Sequence, residues 1–215
     1  MARARAAVLF VLMALAFDAA AWGKEFLIAL QPLGPVRESL ISALASSLEA
    51  AFNAKVEVLQ SKPLPKSAFY SPRERYRAER LLDYLELATP AKYDRVIGVT
   101  ANDISTTKGK YKDWGIFGLA YISNRPCVVS TFRLKKGAAP ELLRIRLLKV
   151  ARHEIGHTLG LEHCPAPGCI MEDANGSIKT VDESDGSFCA DCTAKAGAFL
   201  RPKVPKIGAA KHAPK

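Results

Sequence analysis

His153-Glu154-Ile155-Gly156-His157-Thr158-Leu159-Gly160-Leu161-Glu162-His163-Cys164 is the stretch on which the reading of this 215-residue chain turns. Leu142, Ile145, Leu148 and Val150 give the segment before it one apolar side, and Pro140 followed by Glu141 suits a first helical turn, so a helix is expected from Pro140 to Leu159. On that helix His153 and His157 lie four residues apart and project from one face. This spacing lets both ring nitrogens reach one zinc ion at about 2.0–2.1 Å. Glu154 is too close to the first histidine to be a convenient third ligand, but it is well placed to take a proton from water. Gly160 can take a positive φ and end the helix, which turns the chain back so that His163 approaches the same ion. Three neutral nitrogens leave one position for water, the pattern of a catalytic rather than a structural zinc.

Downstream, Met171 stands eight residues after His163. A histidine triad of this spacing followed by a methionine is the metzincin signature, in which a tight turn places the methionine beneath the metal as an apolar floor. Cys164, Cys169, Cys189 and Cys192 complete the pattern HExxHxxGxxHC-x4-C-x-M-x17-C-x-x-C. A four-residue gap and a C-x-x-C knuckle are both usual in closed four-cysteine zinc sites. Two disulfides are the rival reading of the same cysteines if the chain is exported to an oxidising compartment. Cys127 lies outside this constellation and reads as a buried strand thiol.

The whole pattern resembles the archaemetzincin family of zinc metallopeptidases. The resemblance is specific over Val150–Cys192 and looser upstream, at Phe117-Gly118-Leu119-Ala120 and Ser130–Leu134. It implies a compact α/β metalloprotease domain with a mixed, mainly parallel sheet, an edge strand, an active-site helix and a C-terminal zinc-binding subdomain. It also implies two zinc ions: a catalytic one held by His153, His157 and His163 with Glu154 as general base, and a structural one held by Cys164, Cys169, Cys189 and Cys192. The substrate would be a peptide or protein. Aminopeptidase-like cleavage is one form this activity takes in the resemblance, and no residue decides between exo- and endo-action.

Upstream of the helix, short apolar runs alternate with helical patterns. Phe26–Leu30 reads as a buried strand ended by Pro32 and Gly34, Lys55–Leu59 as a second strand and Arg95–Val99 as a third. Between them, Leu40, Ile41, Leu44, Leu48 and Ala51 mark a helix over Val36–Phe52, and Tyr76, Leu81, Tyr84 and Leu85 mark one over Arg73–Leu87. This alternation predicts a mainly parallel sheet covered by helices. Asn102–Trp114 is polar and lysine-rich and is expected to be a loop. Ile116–Ile122 and Cys127–Phe132 are expected to form a hairpin, and Pro126 favours one of its strands at the sheet edge.

The two ends set the remaining expectations. Arg3 and Arg5, the apolar run Ala6–Phe17 and the small residues Ala19-Ala20-Ala21 form the three-part pattern of a secretory signal peptide over 1–21, with a short core helix as the alternative. The mature chain would then be secreted or periplasmic, with no stable membrane anchor. The domain is expected over 22–200. Residues 201–215 hold five Lys or Arg and no acid, half of the formal charge of +10, and read as a solvated, disordered basic tail. A composition 49% hydrophobic and 24% charged excludes disorder throughout, and a run of twelve apolar residues excludes a polytopic membrane protein. The charge invites a second reading, a non-catalytic zinc-binding protein that binds polyanions or nucleic acid. Much of it lies at the chain ends and no aromatic interleaving accompanies it, so no specific nucleic acid is expected as a partner and the chain reads as a monomer.

Overall fold

The computed structural model describes residues 25–201 and 204–208. The expected leader and the end of the basic tail lie outside the described residues. The first strand, β1 (Leu27–Leu33), sends Ile28 and Leu30 into one core and Ala29 and Leu33 into another, the two-sided burial of a central strand. It continues through Pro32, where the sequence suggested an end. The Pro32 carbonyl accepts from Lys62 N at 3.0 Å, and the donor that proline lacks would face the side where the neighbouring strand has already stopped. Helix α1 (Glu38–Ala51) follows and leads into β2 (Lys55–Val58), which pairs in parallel with β1.

After a loop come β3 (Phe69–Tyr70), β4 (Arg75–Arg77), α2 (Ala78–Ala88), β5 (Arg95–Thr100), β6 (Ile104–Lys108), β7 (Tyr111–Ile116), β8 (Gly118–Ala120) and β9 (Pro126–Ser130). A short α3 (Thr131–Leu134) precedes the long α4 (Pro140–Thr158), and α5 (Ile178–Glu183) and α6 (Ala190–Ala196) close the order. The main sheet has the order β2-β1-β5-β9-β8 and is parallel except for β8 against β9, so the expected mixed, mainly parallel α/β architecture is present. Helices α1 and α4 cover one face. There Leu44, Leu48, Leu147 and Ile155 pack against Ile97, Val99, Cys127 and Val129, each buried side chain contributing about 1.5–3 kcal/mol. Helix α2 covers the other face, where Leu81, Leu82 and Leu85 meet Val96 and Val128.

Two expectations need correction. Asn102–Trp114 is not a loop: β6 and β7 form an antiparallel hairpin that joins β3 and β4 in a second sheet of order β3-β4-β6-β7. Most of its side chains beyond Ser105 are half-buried or exposed, which is why the polar composition resembled a loop. The helix expected from Arg73 starts only at Ala78, because Tyr76 and Arg77 pair in parallel with Ile104 and Ser105, a contact remote in sequence. The expected hairpin with one strand at the sheet edge is present: β8 is the edge of the main sheet and β9 lies inside it. Pro126 is tolerated there as the first residue of its strand.

The segment after α4 is bound to that helix by three buried cations. Arg146 makes a two-pronged pair with Asp182 at 2.7 Å on each arm, Lys149 Nζ donates to the carbonyls of Val181, Asp182 and Ser184, and Arg152 donates to those of Gly186 and Pro205. Burial lowers the Arg152 guanidinium to about 10. The beginning of the expected tail is part of this fit. Arg201 Nε donates to the Glu49 and Phe52 carbonyls, Ile207 N to the Asp185 carbonyl at 3.0 Å, and Lys206 pairs with Asp185 at 2.6 Å.

Candidate active site

Helix α4 ends in the geometry that its glycine allows. Gly160 has φ of 92°, Gly160 N donates to the His157 carbonyl at 3.0 Å and Leu161 N to the Gly156 carbonyl at 3.1 Å, a paired closure of the last turn. The reversed chain brings the third histidine back. Ring centroids lie 4.6 Å apart for His153 and His157, 4.8 Å for His157 and His163, and 5.4 Å for His153 and His163. His163 is the exposed member, with Asp173 Oδ2 at 3.8 Å from its Nδ1.

The hydrogen bonds decide the tautomers of the two helical histidines. His153 Nδ1 donates to the Ile170 carbonyl and His157 Nδ1 to the Leu161 carbonyl, both at 2.7 Å. Each Nε2 is therefore a bare acceptor, and the two Nε2 atoms stand 3.0 Å apart. Two facing lone pairs at that distance repel unless a cation lies between them. Protonation does not supply that cation, since burial and the neighbouring His157 hold the His153 imidazole down to about 3. Together with His163, whose ligating atom lies within 4.8 Å of the others, this nitrogen set fits a zinc ion.

Glu154 is buried beneath β8, and burial raises its carboxyl to about 8. A Cβ on Gly118 would lie 2.5 Å from Glu154 Oε1, so the absence of a side chain at Gly118 is what lets the edge strand pass over the carboxylate. Met171 is fully buried, and its Sδ would lie 2.5 Å from a Cβ on Gly156. It sits in a tight turn in which Glu172 N donates to the Cys169 carbonyl at 3.0 Å. That turn also supplies the Ile170 carbonyl that orients His153.

The four cysteines converge as their spacing suggested. Cys164 and Cys189 have sulfurs 3.7 Å apart, Cys169 and Cys192 3.9 Å, and all four lie within 4.8 Å of one another. None is in a disulfide, which needs sulfurs at about 2.05 Å. Tetrahedral zinc with bonds of about 2.3 Å has sulfur edges of about 3.8 Å, so the donor set fits that ion. Backbone N–H groups already point at the sulfurs: Cys189 N donates to Cys169 Sγ at 3.4 Å and Ala166 N to Cys164 Sγ at 3.5 Å. The Cys192 N–H at the start of α6 lowers the Cys189 thiol to about 7. Cys127, the fifth, is fully buried in β9, and burial pushes its thiol well up.

The histidines open into a cleft of about 400 Å³. One wall is Phe117–Ala120, including all of β8; the other is Asp173–Gly176. Lys108 and Trp114 of the β6–β7 hairpin also line the cleft, and the sequence reading placed neither of them there. The available signal was the short run from Lys108 to Trp114, which reads as a solvated, lysine-rich loop when the pairing partner is unknown.

The sequence profile of Peptidase family M54 matches residues 54–197. The archaemetzincin of Halobacterium salinarum is 32% identical over 169 residues, covering 75% of this chain and 94% of that protein. That of Archaeoglobus fulgidus is 37% identical over 166 residues, covering 77% and 96%. Among solved structures, the Archaeoglobus fulgidus archaemetzincin complexed with malonate superposes with a TM-score of 0.68 at 35% identity, over 79% of this chain and 99% of that one. The Methanopyrus kandleri archaemetzincin gives a TM-score of 0.70 at 31% identity, over 82% and 96%. With more than half of the chain inside the family profile and near-complete coverage of its relatives, this chain belongs to Peptidase family M54, the archaemetzincins, and is a zinc metallopeptidase.

Proposed function

We propose that this chain hydrolyses peptide bonds with a zinc ion held by Nε2 of His153, Nε2 of His157 and a ring nitrogen of His163, and with Glu154 as general base. The observation that carries this reading is the convergence of two bare Nε2 acceptors at 3.0 Å with a buried carboxylate on the next residue of the same helix. Zinc, when bound, supplies a Lewis acid that polarises the scissile carbonyl and acidifies water. Glu154 takes the proton of the attacking water and returns it to the leaving amine. His153 and His157 keep their orientation through the Ile170 and Leu161 carbonyls, which also leaves their Nε2 atoms basic.

β8 supplies the substrate rail. Phe117 O accepts from Ser130 N at 2.8 Å, so by alternation the backbone groups of Gly118 and Ala120 point away from β9 and into the cleft. An extended peptide adds there as a further strand. A second zinc on Cys164, Cys169, Cys189 and Cys192 holds the Met171 turn, since Cys164 N donates to the Met171 carbonyl at 2.8 Å.

The test is Glu154→Gln in zinc-loaded protein. The expected result is a loss of peptide turnover on the order of 10²–10⁴-fold with unchanged zinc content. Turnover that persists in that variant removes the assignment.

A further inference from the structure

The cleft is closed at one end by a feature that the zinc chemistry does not require. Lys108 Nζ donates to Asn175 Oδ1 at 2.9 Å, joining the β6–β7 hairpin to the opposite wall. Beside it the Trp114 ring lies 3.4 Å from where a Cβ on Gly176 would stand. Lys108, Trp114 and Asn175 line both the main cleft and a second, outer concavity of about 310 Å³. They are therefore the partition between the two, a strap across the path of any chain leaving the histidines in that direction.

The direction is fixed by connectivity. β7 runs into β8 through Phe117, so the strap lies on the Gly118 side of the rail. A peptide paired antiparallel to β8, the stronger pairing, runs from Ala120 toward Gly118. Its carboxyl end meets the strap.

The charge at the strap agrees with that direction. Lys108 has a neutral amide oxygen as its hydrogen-bond partner and makes no ion pair among the described residues. The other cation of the cleft is already committed, because Lys149 Nζ donates to three backbone carbonyls. The acids of the opposite wall have partners other than Lys108. Glu172 Oε2 accepts from Gly168 N at 2.9 Å and Asp173 Oδ1 from Asn175 N at 2.7 Å, while Asp173 Oδ2 faces His163. A peptide ammonium arriving at Lys108 is repelled, and a carboxylate finds a charge-assisted donor there.

The geometry points to the free C-terminal carboxylate of a peptide as what the strap recognises, with Lys108 as the specificity-determining residue, so that cleavage falls a few residues from the carboxyl end of the substrate. The inference rests on the hydrolytic reading above and deepens it. It differs from the amino-terminal trimming that the family resemblance suggests, because the closed and cationic end of the cleft is the one that receives the carboxyl side of the scissile bond.

The experiment compares one peptide as free acid, as C-terminal amide, as N-acetylated acid, and as an amide carrying Glu at its last position. Turnover is followed with zinc-loaded wild type, Lys108→Ala and Lys108→Arg. Binding is read separately from the tryptophan fluorescence of zinc-loaded Glu154→Gln, with Trp114→Phe as the spectroscopic control. The expected result is at least a tenfold preference for the free acid over the amide in both readouts, short C-terminal fragments as products and no penalty for acetylation. Lys108→Ala brings the acid-to-amide ratio to about one while the amide is still cleaved, and Lys108→Arg keeps the preference. Equal handling of acid and amide by wild type, dependence on a free amino terminus, rescue of the amide by the Glu side chain, or an acid preference that survives in Lys108→Ala overturns the proposal. The last of these places the carboxylate on the metal instead. A wild type that cleaves none of the peptides counts against the hydrolytic reading, whereas Glu154-dependent cleavage without acid preference counts against the strap alone.

Discussion

Replacing Gly118 by alanine tests the spacing between the edge strand and the general base. The three atoms nearest a Cβ at Gly118 are Glu154 Oε1 at 2.5 Å, Cγ at 2.7 Å and Cδ at 2.8 Å. Ordinary contact begins at 3.4 Å, so β8 and the Glu154 side chain must separate by roughly 0.9 Å. Gly118 does not sit at positive φ, so the alanine backbone is unstrained and the effect is one of volume. Displacing a catalytic group by about 1 Å costs on the order of 10²-fold in rate, about 2.7 kcal/mol in the activation barrier. The overpacking itself costs about 1–3 kcal/mol of stability, part of which the lower entropy of unfolded alanine offsets, so the variant stays folded. The assay is kcat and KM on a quenched fluorescent peptide with zinc-loaded protein, alongside zinc content and a urea transition. We expect kcat to fall by about two orders of magnitude, with zinc content and KM little changed. Adding Glu154→Asp, whose shorter side chain withdraws from the new methyl, should be less harmful in the Gly118→Ala background than in wild type. Wild-type kcat in a folded, zinc-replete Gly118→Ala refutes the spacing argument, and a loss that tracks loss of zinc assigns the effect to the histidines.

Asp182→Ala leaves the buried Arg146 guanidinium without its carboxylate and should destabilise the fold by about 3–5 kcal/mol in denaturant unfolding, while the neutral-surface control Ser177→Ala changes little. Elemental analysis of the purified chain should give two zinc ions, and a chelator should remove them in two phases. The histidine-held ion leaves first because His163 is exposed, and the cysteine-held ion leaves later because Cys169 and Cys192 are buried; one ion with two disulfides contradicts this. Cys127 should be inert to thiol reagents in the folded, zinc-loaded protein and react only on unfolding, since it is fully buried and burial raises its pKa; a fast-reacting Cys127 would show that β9 opens.

Much of the main sheet was legible because its strands are buried on both faces and announce themselves as apolar runs. The hairpin of β8 and β9 was legible as two β-rich runs around a turn, and α4 as a periodic run with Pro140 at its start. The second sheet was not legible. β4 exists because Tyr76 finds Ile104, and β6 exists because it finds β4 and β7. These pairings carry little apolar signal in the chain itself, since beyond Ser105 the residues of β6 and β7 are half-buried or exposed. Likewise 201–208 look like a solvated tail by composition, yet Ile207 packs on Gly186 and Arg152 holds the Pro205 carbonyl.

For the active site the sequence by itself determined which histidines meet, because two histidines one helical turn apart and a glycine that reverses the chain need only local geometry to converge. It also determined which cysteines belong together, by short gaps and a knuckle. The tertiary structure decided everything that depends on a second segment arriving from elsewhere. The Ile170 carbonyl sets the tautomer of His153, Gly118 passes over Glu154, and the Lys108 to Asn175 strap closes one end of the cleft. Helical spacing is a property of neighbouring residues and is written in the chain. The depth, charge and closed end of a cleft arise where segments far apart in sequence meet, and only packing brings them together.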